Sequence, residues 1–319
     1  MSETPVASRA SLSVVILNER RGSYLQECLR RLKVETDDGQ VRIIECANSA
    51  GGVLSLAEYK NRAVTETRGE FVLLVSAMDI VEPGCVERLS SFMQSHSDVA
   101  AAGALLLGEN GWPRRCYMRF PGLLRFAGAL GRWFVALNPR AQRYGTLKIE
   151  QELERRADAL PASCVMIRRT AFDEIGPFER GYEFRFDDID WGWRARRKGW
   201  RLCVVPQAKA YHVAPLLHGS VPVRVRLAYE QSLRRFLLAH RRRAYRAVFW
   251  ISRMIGVVVA GTCAGLIALL TAFRSRSSIE HFRANAVVLR WRLSGSPEAG
   301  SLGDAEQTTR WEYAGWRAD

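Results

Sequence analysis

The sequence lacks the cysteine pairs that build zinc sites or disulfide frameworks. Its seven cysteines are scattered singly, and no two of them have the CxxC spacing that is typical of zinc sites. We therefore expect small buried thiols in a reducing compartment. Residues 1–10 are polar and have no apolar core, so they predict a disordered N-terminus without a signal peptide.

Lysine is absent from the basic end of the chain, and acidic residues are scarce there. Between Ser220 and Arg292 the chain carries fourteen arginines and two glutamates, and the whole chain has a net charge of +14. A surplus confined to one end indicates a local anionic partner: phospholipid headgroups, a pyrophosphate lipid or nucleic acid. The sequence has no signature of a nucleic-acid-binding fold. We therefore expect an anionic membrane surface as partner and no nucleic acid.

A long apolar run supports the membrane interpretation. Met254–Phe273 is twenty residues without a charge, enough for a helix of about 30 Å. Its preceding flank is basic, and we assign membrane contact to Arg241, Arg242, Arg243, Arg246 and Arg253. The following flank is basic too, which favours a re-entrant or in-plane segment, although a single span stays open.

Short apolar runs alternate with helical patterns through the first two thirds of the chain. Five segments predict strands: Ser11–Asn18, Val41–Cys46, Glu70–Val75, Ala162–Ile167 and Leu202–Val205. The alternation predicts an α/β fold with a mostly parallel sheet flanked by helices. In such sheets the functional loops follow the carboxyl ends of the strands. Arg224–Tyr245 predicts a separate basic helix.

Three polar features lie where such a sheet places its sites. Asp79 follows the third predicted strand, and a carboxylate there either binds a divalent cation or ends a turn. Phe186–Trp191 holds three aspartates within four residues, which fits a general base, a cation site or a charged helix start. His212 follows the last predicted strand, where a lone histidine is either structural or functional.

Several segments, in order, resemble glycosyltransferase family 2, whose members are inverting enzymes with a GT-A fold. The segments are SVVILN, KNRA with RGEF, MDIVEPG, RFPGLL, SCVMIRRTAF and FDDIDWGWR with KGW. They extend from about Ser11 to His212, and the last two match most strongly. Within the family, the chain looks most like bacterial rhamnosyltransferase-like members that act on lipid-linked cell-envelope glycans.

The resemblance implies a single displacement on a nucleotide-sugar donor. A base deprotonates an acceptor hydroxyl, which attacks the anomeric carbon while the nucleoside diphosphate leaves. It implies Asp188 as the base, with Asp187 as the alternative, and Asp79 with His212 as ligands of Mg²⁺ or Mn²⁺. Donor binding is predicted for Asn18, Glu45, Asn48, Asn61 and Met78. Acceptor binding is predicted for Asp190, Trp191 and Arg194.

Two departures from the family pattern open an alternative. The aspartate usual after the second strand is replaced in Ile44–Ser49, and Ser76-Ala77-Met78 precede the single Asp79 of the metal motif. A catalytically degenerate relative that serves as a membrane or assembly partner would also show such changes.

These observations together predict four segments and a location. Residues 1–10 form a disordered N-terminus, 11–218 the GT-A glycosyltransferase domain, 219–293 a basic and apolar membrane-associated helical region, and 294–319 a polar tail. The predicted enzyme works at the cytoplasmic face of the cell membrane. Its partners are a nucleotide-sugar donor and a lipid-linked glycan acceptor, in cell-envelope polysaccharide biosynthesis.

Overall fold

The chain folds into two compact units in a computed structural model, which describes residues 11–18, 24–35, 41–45, 55–114, 116–122, 157–182, 186–213, 223–270 and 276–294. The first unit contains the described residues up to 119 and those in 157–180 and 188–213. The second contains those in 120–122, 181–182, 186–187 and 223–294.

A seven-stranded sheet in the order β2-β1-β3-β6-β5-β7-β4 forms the centre of the first unit. Its strands are β1 Leu12–Asn18, β2 Val41–Glu45, β3 Phe71–Ser76, β4 Asp79–Val81, β5 Val99–Leu107, β6 Val165–Arg168 and β7 Arg201–His212. The predicted α/β class is confirmed, but the sheet is mixed. Strand β1 pairs in parallel with β2 and β3, and β5 with β7, whereas β6 and β4 run antiparallel to their neighbours.

Five helices accompany these strands: α1 Leu25–Glu35, α2 Leu56–Thr65, α3 Cys85–Ser95, α4 Arg169–Ile175 and α5 Phe186–Arg197. Helix α2 begins with a capping box, in which the Ser55 hydroxyl accepts from the Glu58 amide at 3.3 Å and the Glu58 carboxylate accepts from the Ser55 amide at 3.0 Å. Helix α3 begins after Gly84, whose φ of +77° suits glycine. The first two residues of α5 belong to the second unit.

Strand β4 was not predicted, and β5 and β7 differ from the prediction for local reasons. Strand β5 was not predicted, because four of its nine residues are alanine and one is glycine, which are poor strand formers. Strand β7 was predicted to end before Pro206, but it continues to His212. Its pairing with β5 shifts from Ala104–Val205 to Leu105–Lys209, so a bulge carries the proline that cannot donate to the ladder.

The core of the first unit lies on both faces of the sheet. Every residue of β3 and of β5 is buried, which is the pattern of strands covered on both sides. Helices supply the covering layers, through side chains such as Tyr59, Leu89 and Phe172.

Three helices make up most of the described part of the second unit: α6 Val223–His240, α7 Arg243–Leu270 and α8 Arg276–Leu293. The single basic helix predicted over Arg224–Tyr245 is interrupted after His240, and α8 lies within the helical region predicted over 219–293 but was not delimited as a helix of its own. A β-carbon added at Gly261 of α7 would lie 3.7 Å from Asn285, and one at Gly265 would lie 3.4 Å from the Phe282 ring. Both distances are ordinary van der Waals contacts, and they show that α8 packs against the apolar part of α7.

Helix α7 is long and apolar enough to cross a membrane, by length and composition, over Arg243–Ile267. Only 6% of its most apolar window is buried within the protein, and its mean hydropathy is 1.7. Its exposed apolar side chains include Val248, Ile251, Ile255, Val258, Leu266, Leu269 and Leu270. This exposure is what a lipid-facing surface requires and a soluble core helix lacks.

We predict that Gly192→Ala destabilises the protein, although alanine is the better helix former. A β-carbon at Gly192 of α5 would lie 2.1 Å from the Asp158 carbonyl oxygen, so the backbone would have to move. We expect a net loss of about 1–3 kcal/mol, read as a lower melting temperature in detergent. Gly256→Ala is the matched control, because the Gly256 position in α7 has open space. A Gly192→Ala variant with the melting temperature of the wild type would show that this close approach does not limit stability.

Candidate functional site

The carboxyl ends of three neighbouring parallel strands meet at one edge of the sheet in the first unit. Asn18 at the end of β1 pairs in register with Glu45 at the end of β2, and Leu17 pairs with Ser76 at the end of β3. Open α/β sheets bind their ligands at such an edge. The predicted donor-binding residues Asn18, Glu45 and Met78 therefore belong to one edge.

Asn18 is the donor-site residue with the clearest unmet hydrogen-bonding capacity. Its side chain is 5% exposed, and among the described residues its amide oxygen has no hydrogen-bond partner. Its backbone carbonyl accepts from the Tyr59 hydroxyl at 3.1 Å, which fixes the strand end. Buried amide groups normally find partners, so this oxygen is available to a ligand. The side chain of Glu45 and all of Asn48 lie outside the described residues.

Asp79 and His212 form a cross-strand pair, as expected for two residues predicted to share one cation. Strand β4 pairs with β7 in a register that sets Asp79 opposite His212. One carboxylate oxygen lies 2.6 Å from the imidazole Nδ1, and the other accepts from the Ser76 amide at 3.3 Å. Met78, just before, is half-buried, and its carbonyl accepts from the Val213 amide at 2.9 Å.

Asp79 lies in the interior beside a buried thiol. Asp79 is completely buried. Burial raises the pKa of the nearby Cys28 thiol to about 12, and the charge of Asp79 adds to that rise. Within the described part of the chain, His212 is the basic side chain that lies within ion-pair distance of Asp79. A carboxylate in so apolar a place requires positive charge beside it.

Asp188, the predicted base, is paired with a lysine inside the first unit. The Lys60 ammonium contacts the Asp188 carboxylate at a very short distance, with the two side chains 0% and 5% exposed. The ammonium also lies 4.6 Å from the centre of the Phe178 ring. Lys60 and Asp188 line a cavity of about 10 Å³, which is barely enough for one water molecule.

The residues around this ion pair anchor the loop between α4 and α5. The Asn61 amide nitrogen donates to the Phe178 carbonyl at 2.9 Å, and the Phe178 amide donates to the Asn61 oxygen at 2.8 Å. The Trp191 indole donates to the Gly176 carbonyl at 3.0 Å and stacks on Phe178 at 5.2 Å. Each of these contacts holds the Gly176–Phe178 loop in place.

Arg194 completes this arrangement. Its guanidinium donates to Asp190 at 2.8 Å, to the Ile175 carbonyl at 2.9 Å and to the Pro177 carbonyl at 2.7 Å. The polar groups of Asp190, Trp191, Arg194 and Asn61 thus hold the α4–α5 loop. The assignment of Asp190, Trp191 and Arg194 to acceptor binding and of Asn61 to donor binding stays a prediction.

The arginines assigned to the membrane surface fall into two groups in the second unit. Arg242 and Arg243 are exposed, and Arg241 and Arg246 are half-buried. Arg253 differs from them, because it forms a short ion pair with Glu230, which is 3% exposed. Arg253 is nevertheless half-buried like Arg241 and Arg246, with its side chain 22% exposed, and membrane contact of all five stays a prediction.

Sequence analysis missed Lys60, although a signal was present. On α2 the buried residues Ala57 and Val64 lie three residues before and four residues after Lys60, on the same helical face. A lysine on a buried helical face requires an acidic partner, and the aspartate triplet was the obvious source.

We predict that breaking the Lys60–Asp188 pair costs stability. Lys60→Met and Asp188→Asn each leave one buried group without its partner, so each should lower the free energy of unfolding by about 3–5 kcal/mol. The double variant Lys60→Met/Asp188→Leu should recover most of the loss. Denaturant unfolding in detergent measures all three.

The matched control is Arg62→Met on the same helix. Arg62 pairs with Glu66 at 2.8 Å, but the two side chains are 42% and 41% exposed. Its loss should cost about 0–1 kcal/mol. If Lys60→Met were no more destabilising than Arg62→Met, the buried pair would not be a stabilising element.

Comparison with known proteins places this geometry in a family. The model of the family described as glycosyltransferase-like family 2 matches residues 5–234. N-acetylglucosaminyl-diphospho-decaprenol L-rhamnosyltransferase of Mycobacterium tuberculosis is 27% identical over 210 residues, covering 65% of this chain and 64% of that protein. The O-antigen biosynthesis protein RfbC of Myxococcus xanthus is 26% identical over 153 residues, covering 48% of this chain and 12% of that protein.

The chain thus spans less than two thirds of the length of these curated relatives. Among solved structures, a mannosyltransferase from Pyrobaculum calidifontis in complex with GDP-Man and Mn²⁺ aligns with a TM-score of 0.45 and 14% identity, over 89% of this chain and 88% of that one. The family match covers most of the chain, and it includes both the carboxyl ends of β1 to β3 and the aspartates of α5. The chain belongs to the glycosyltransferase-like family 2.

Proposed function

We propose that this glycosyltransferase moves a sugar from a nucleotide-sugar donor to a lipid-linked cell-envelope glycan, with inversion at the anomeric carbon. The observation that carries the proposal is the Asp79–His212 pair, which lies near the carboxyl ends of β1, β2 and β3, where Asn18 is found. The name of the Mycobacterium tuberculosis relative supports L-rhamnose as the sugar and a polyprenyl-diphosphate glycan as the acceptor.

The Asp79–His212 pair suits a divalent cation that is shared with substrate phosphates. Magnesium sites in nucleotide enzymes use one or two protein ligands and complete their coordination with phosphates and water. Of the described residues, no three of histidine, cysteine, aspartate and glutamate converge, so within that part of the chain Asp79 and His212 are the two groups offered to a cation. When bound, Mg²⁺ or Mn²⁺ supplies positive charge that stabilises the departing nucleoside diphosphate.

We infer that the general base lies at the start of α5, with Asp188 as the first candidate and Asp187 as the alternative. The Asp188 carboxylate is held by Lys60 beside a small cavity. Asp187 is buried as well, at 2% exposed against 5% for Asp188, so burial does not separate the two. A base must lie within about 3 Å of the hydroxyl that it deprotonates.

The helices of the second unit support attachment to one membrane face. Gly261 lies near Asn285, Gly265 lies near Phe282, and Arg253 and Arg292 share Glu230, so α7 and α8 run antiparallel. A spanning α7 would carry the charges of α8 into the hydrocarbon, at about 2.5–3.5 kcal/mol each. We therefore propose that the α7–α8 hairpin lies in the membrane plane, at the cytoplasmic face.

Donor binding tests the first part of the proposal. In a thermal-shift screen of UDP-, dTDP- and GDP-sugars with Mn²⁺ or Mg²⁺, one nucleotide should raise the melting temperature. Saturation at a hundredfold excess over Kd adds about 2.7 kcal/mol. Asp79→Asn should lose the metal-dependent part of this stabilisation, and Asn18→Ala should weaken binding with or without metal.

Asp173→Asn, an isosteric change at an exposed carboxylate of the same unit, should bind the donor like wild type. If a well-folded protein were stabilised by none of these nucleotides, the alternative of a degenerate membrane or assembly partner would replace the transferase.

Turnover with the identified donor tests the base. Asp188→Asn and Asp187→Asn are compared, and the variant that removes the base should lower kcat by about 10²–10⁴-fold with donor binding unchanged, because general-base catalysis contributes that much. Asp188→Asn should lower the melting temperature as well, because it breaks the pair with Lys60. Loss of turnover in Asp188→Asn alone would assign the base to Asp188, loss in Asp187→Asn alone would assign it to Asp187, and full activity in both would contradict a base at the start of α5.

A further inference from the structure

A buried cluster of arginines in the second unit has more positive charge than its acidic partner balances. Glu230 of α6 forms short ion pairs with Arg253 of α7 and Arg292 of α8, one to each carboxylate oxygen. Arg226 of α6 lies one turn before Glu230 and feels the charges of both Glu230 and Arg253. Among the described side chains, this cluster combines three arginines with one glutamate.

Arg292 carries the unmet hydrogen-bonding capacity of the cluster. Its side chain is 4% exposed, and its guanidinium lies 5.2 Å from the Trp250 ring. Its Nε and Nη1 are buried, and neither has a hydrogen-bond partner among the described residues. Burial lowers the pKa of Arg292 and of Arg226, which shows that water does not fully solvate these cations. Buried charged donors without acceptors are costly, so an anionic ligand would relieve them.

The position of the cluster on α7 indicates where that ligand comes from. Arg253 immediately precedes the apolar run that begins at Met254. Ile251 and Ile255, on either side of Arg253, are 62% and 59% exposed. A charged group beside exposed apolar side chains at the start of a lipid-facing helix lies at the level of lipid headgroups.

We propose that Arg226, Arg253 and Arg292, held together by Glu230, form a binding site for a phosphate group of a membrane lipid. Glu230 fixes two of the guanidinium groups, and the phosphate oxygens accept from the donors that Glu230 does not reach. Guanidinium groups suit this role, because their planar donors match phosphate oxygens in pairs. The inference rests on the proposed membrane placement and is independent of the transfer reaction.

Vesicle cosedimentation of the full chain tests the site. Three vesicle types are compared: phosphatidylcholine alone, phosphatidylcholine with phosphatidylglycerol, and phosphatidylcholine with a polyprenyl diphosphate at matched charge. Arg292→Gln should weaken binding to both anionic vesicles on the order of thirtyfold or more, because buried charge-assisted hydrogen bonds are lost. On phosphatidylcholine alone it should bind like wild type.

Arg290→Gln is the matched control, since Arg290 is exposed on the same helix and loses the same charge. Diffuse attraction predicts a loss of roughly fivefold for such a change. If Arg290→Gln and Arg292→Gln weakened binding equally, the cluster would be part of a diffuse basic surface and the inference would be wrong. Should Arg292→Gln fail to fold, the half-buried Arg226→Gln replaces it with the same expected ratio.

The two anionic vesicles identify the source of the phosphate. Stronger binding to the polyprenyl diphosphate would assign the site to the acceptor lipid, and equal binding would assign it to bulk phospholipid. The experiment uses no sugar donor and measures no turnover. A negative result therefore leaves the transfer reaction standing, and a failed transfer assay leaves this site standing.

Discussion

The buried ion pair between Lys60 and Asp188 is the contact on which the first unit's acidic helix depends. It joins α2 to α5 in the interior, with both side chains almost fully covered. A buried pair of this kind contributes little net stability compared with apolar side chains of the same size, but it strongly penalises any packing that separates the charges. It therefore fixes which turn of α5 faces α2. Hydrogen bonds with Asn61, Trp191 and Arg194 hold the Gly176–Phe178 loop beside this ion pair.

Charge balance distinguishes the structural clusters from the candidate ligand sites. Lys60 and Asp188 neutralise each other, and so do Arg194 and Asp190. Neither pair therefore leaves an excess charge to attract a ligand. The arginines around Glu230 leave a positive excess, and the amide oxygen of Asn18 has no described partner. In a low-dielectric interior such imbalance is costly, and a bound ligand is the physical means of removing it.

Sequence reasoning was accurate where periodicity and burial agree. The apolar runs of β1 and β3 and the helical spacing of α1 and α2 give the α/β class directly, and the family resemblance is confirmed by the match over residues 5–234. It missed β5, whose alanines carry no strand preference, and it shortened β7 at Pro206, because a bulge cannot be read from one strand alone. The bounds of α8, within the helical region predicted over 219–293, were not given because its charges recur without a single apolar stripe.

Site residues were harder to predict, because motif position does not reveal what a side chain touches. Asp187, Asp188 and Asp190 are equivalent in the sequence, yet Asp188 meets a lysine from α2 and Asp190 meets an arginine one turn along its own helix. Long-range partners such as Lys60, 128 residues earlier in the chain, decide whether a carboxylate holds the fold together or remains available for chemistry. A cluster of like charges in a sequence therefore predicts that partners exist. Only the fold shows which partner each carboxylate meets, and in α5 it pairs Asp188 with Lys60 and Asp190 with Arg194.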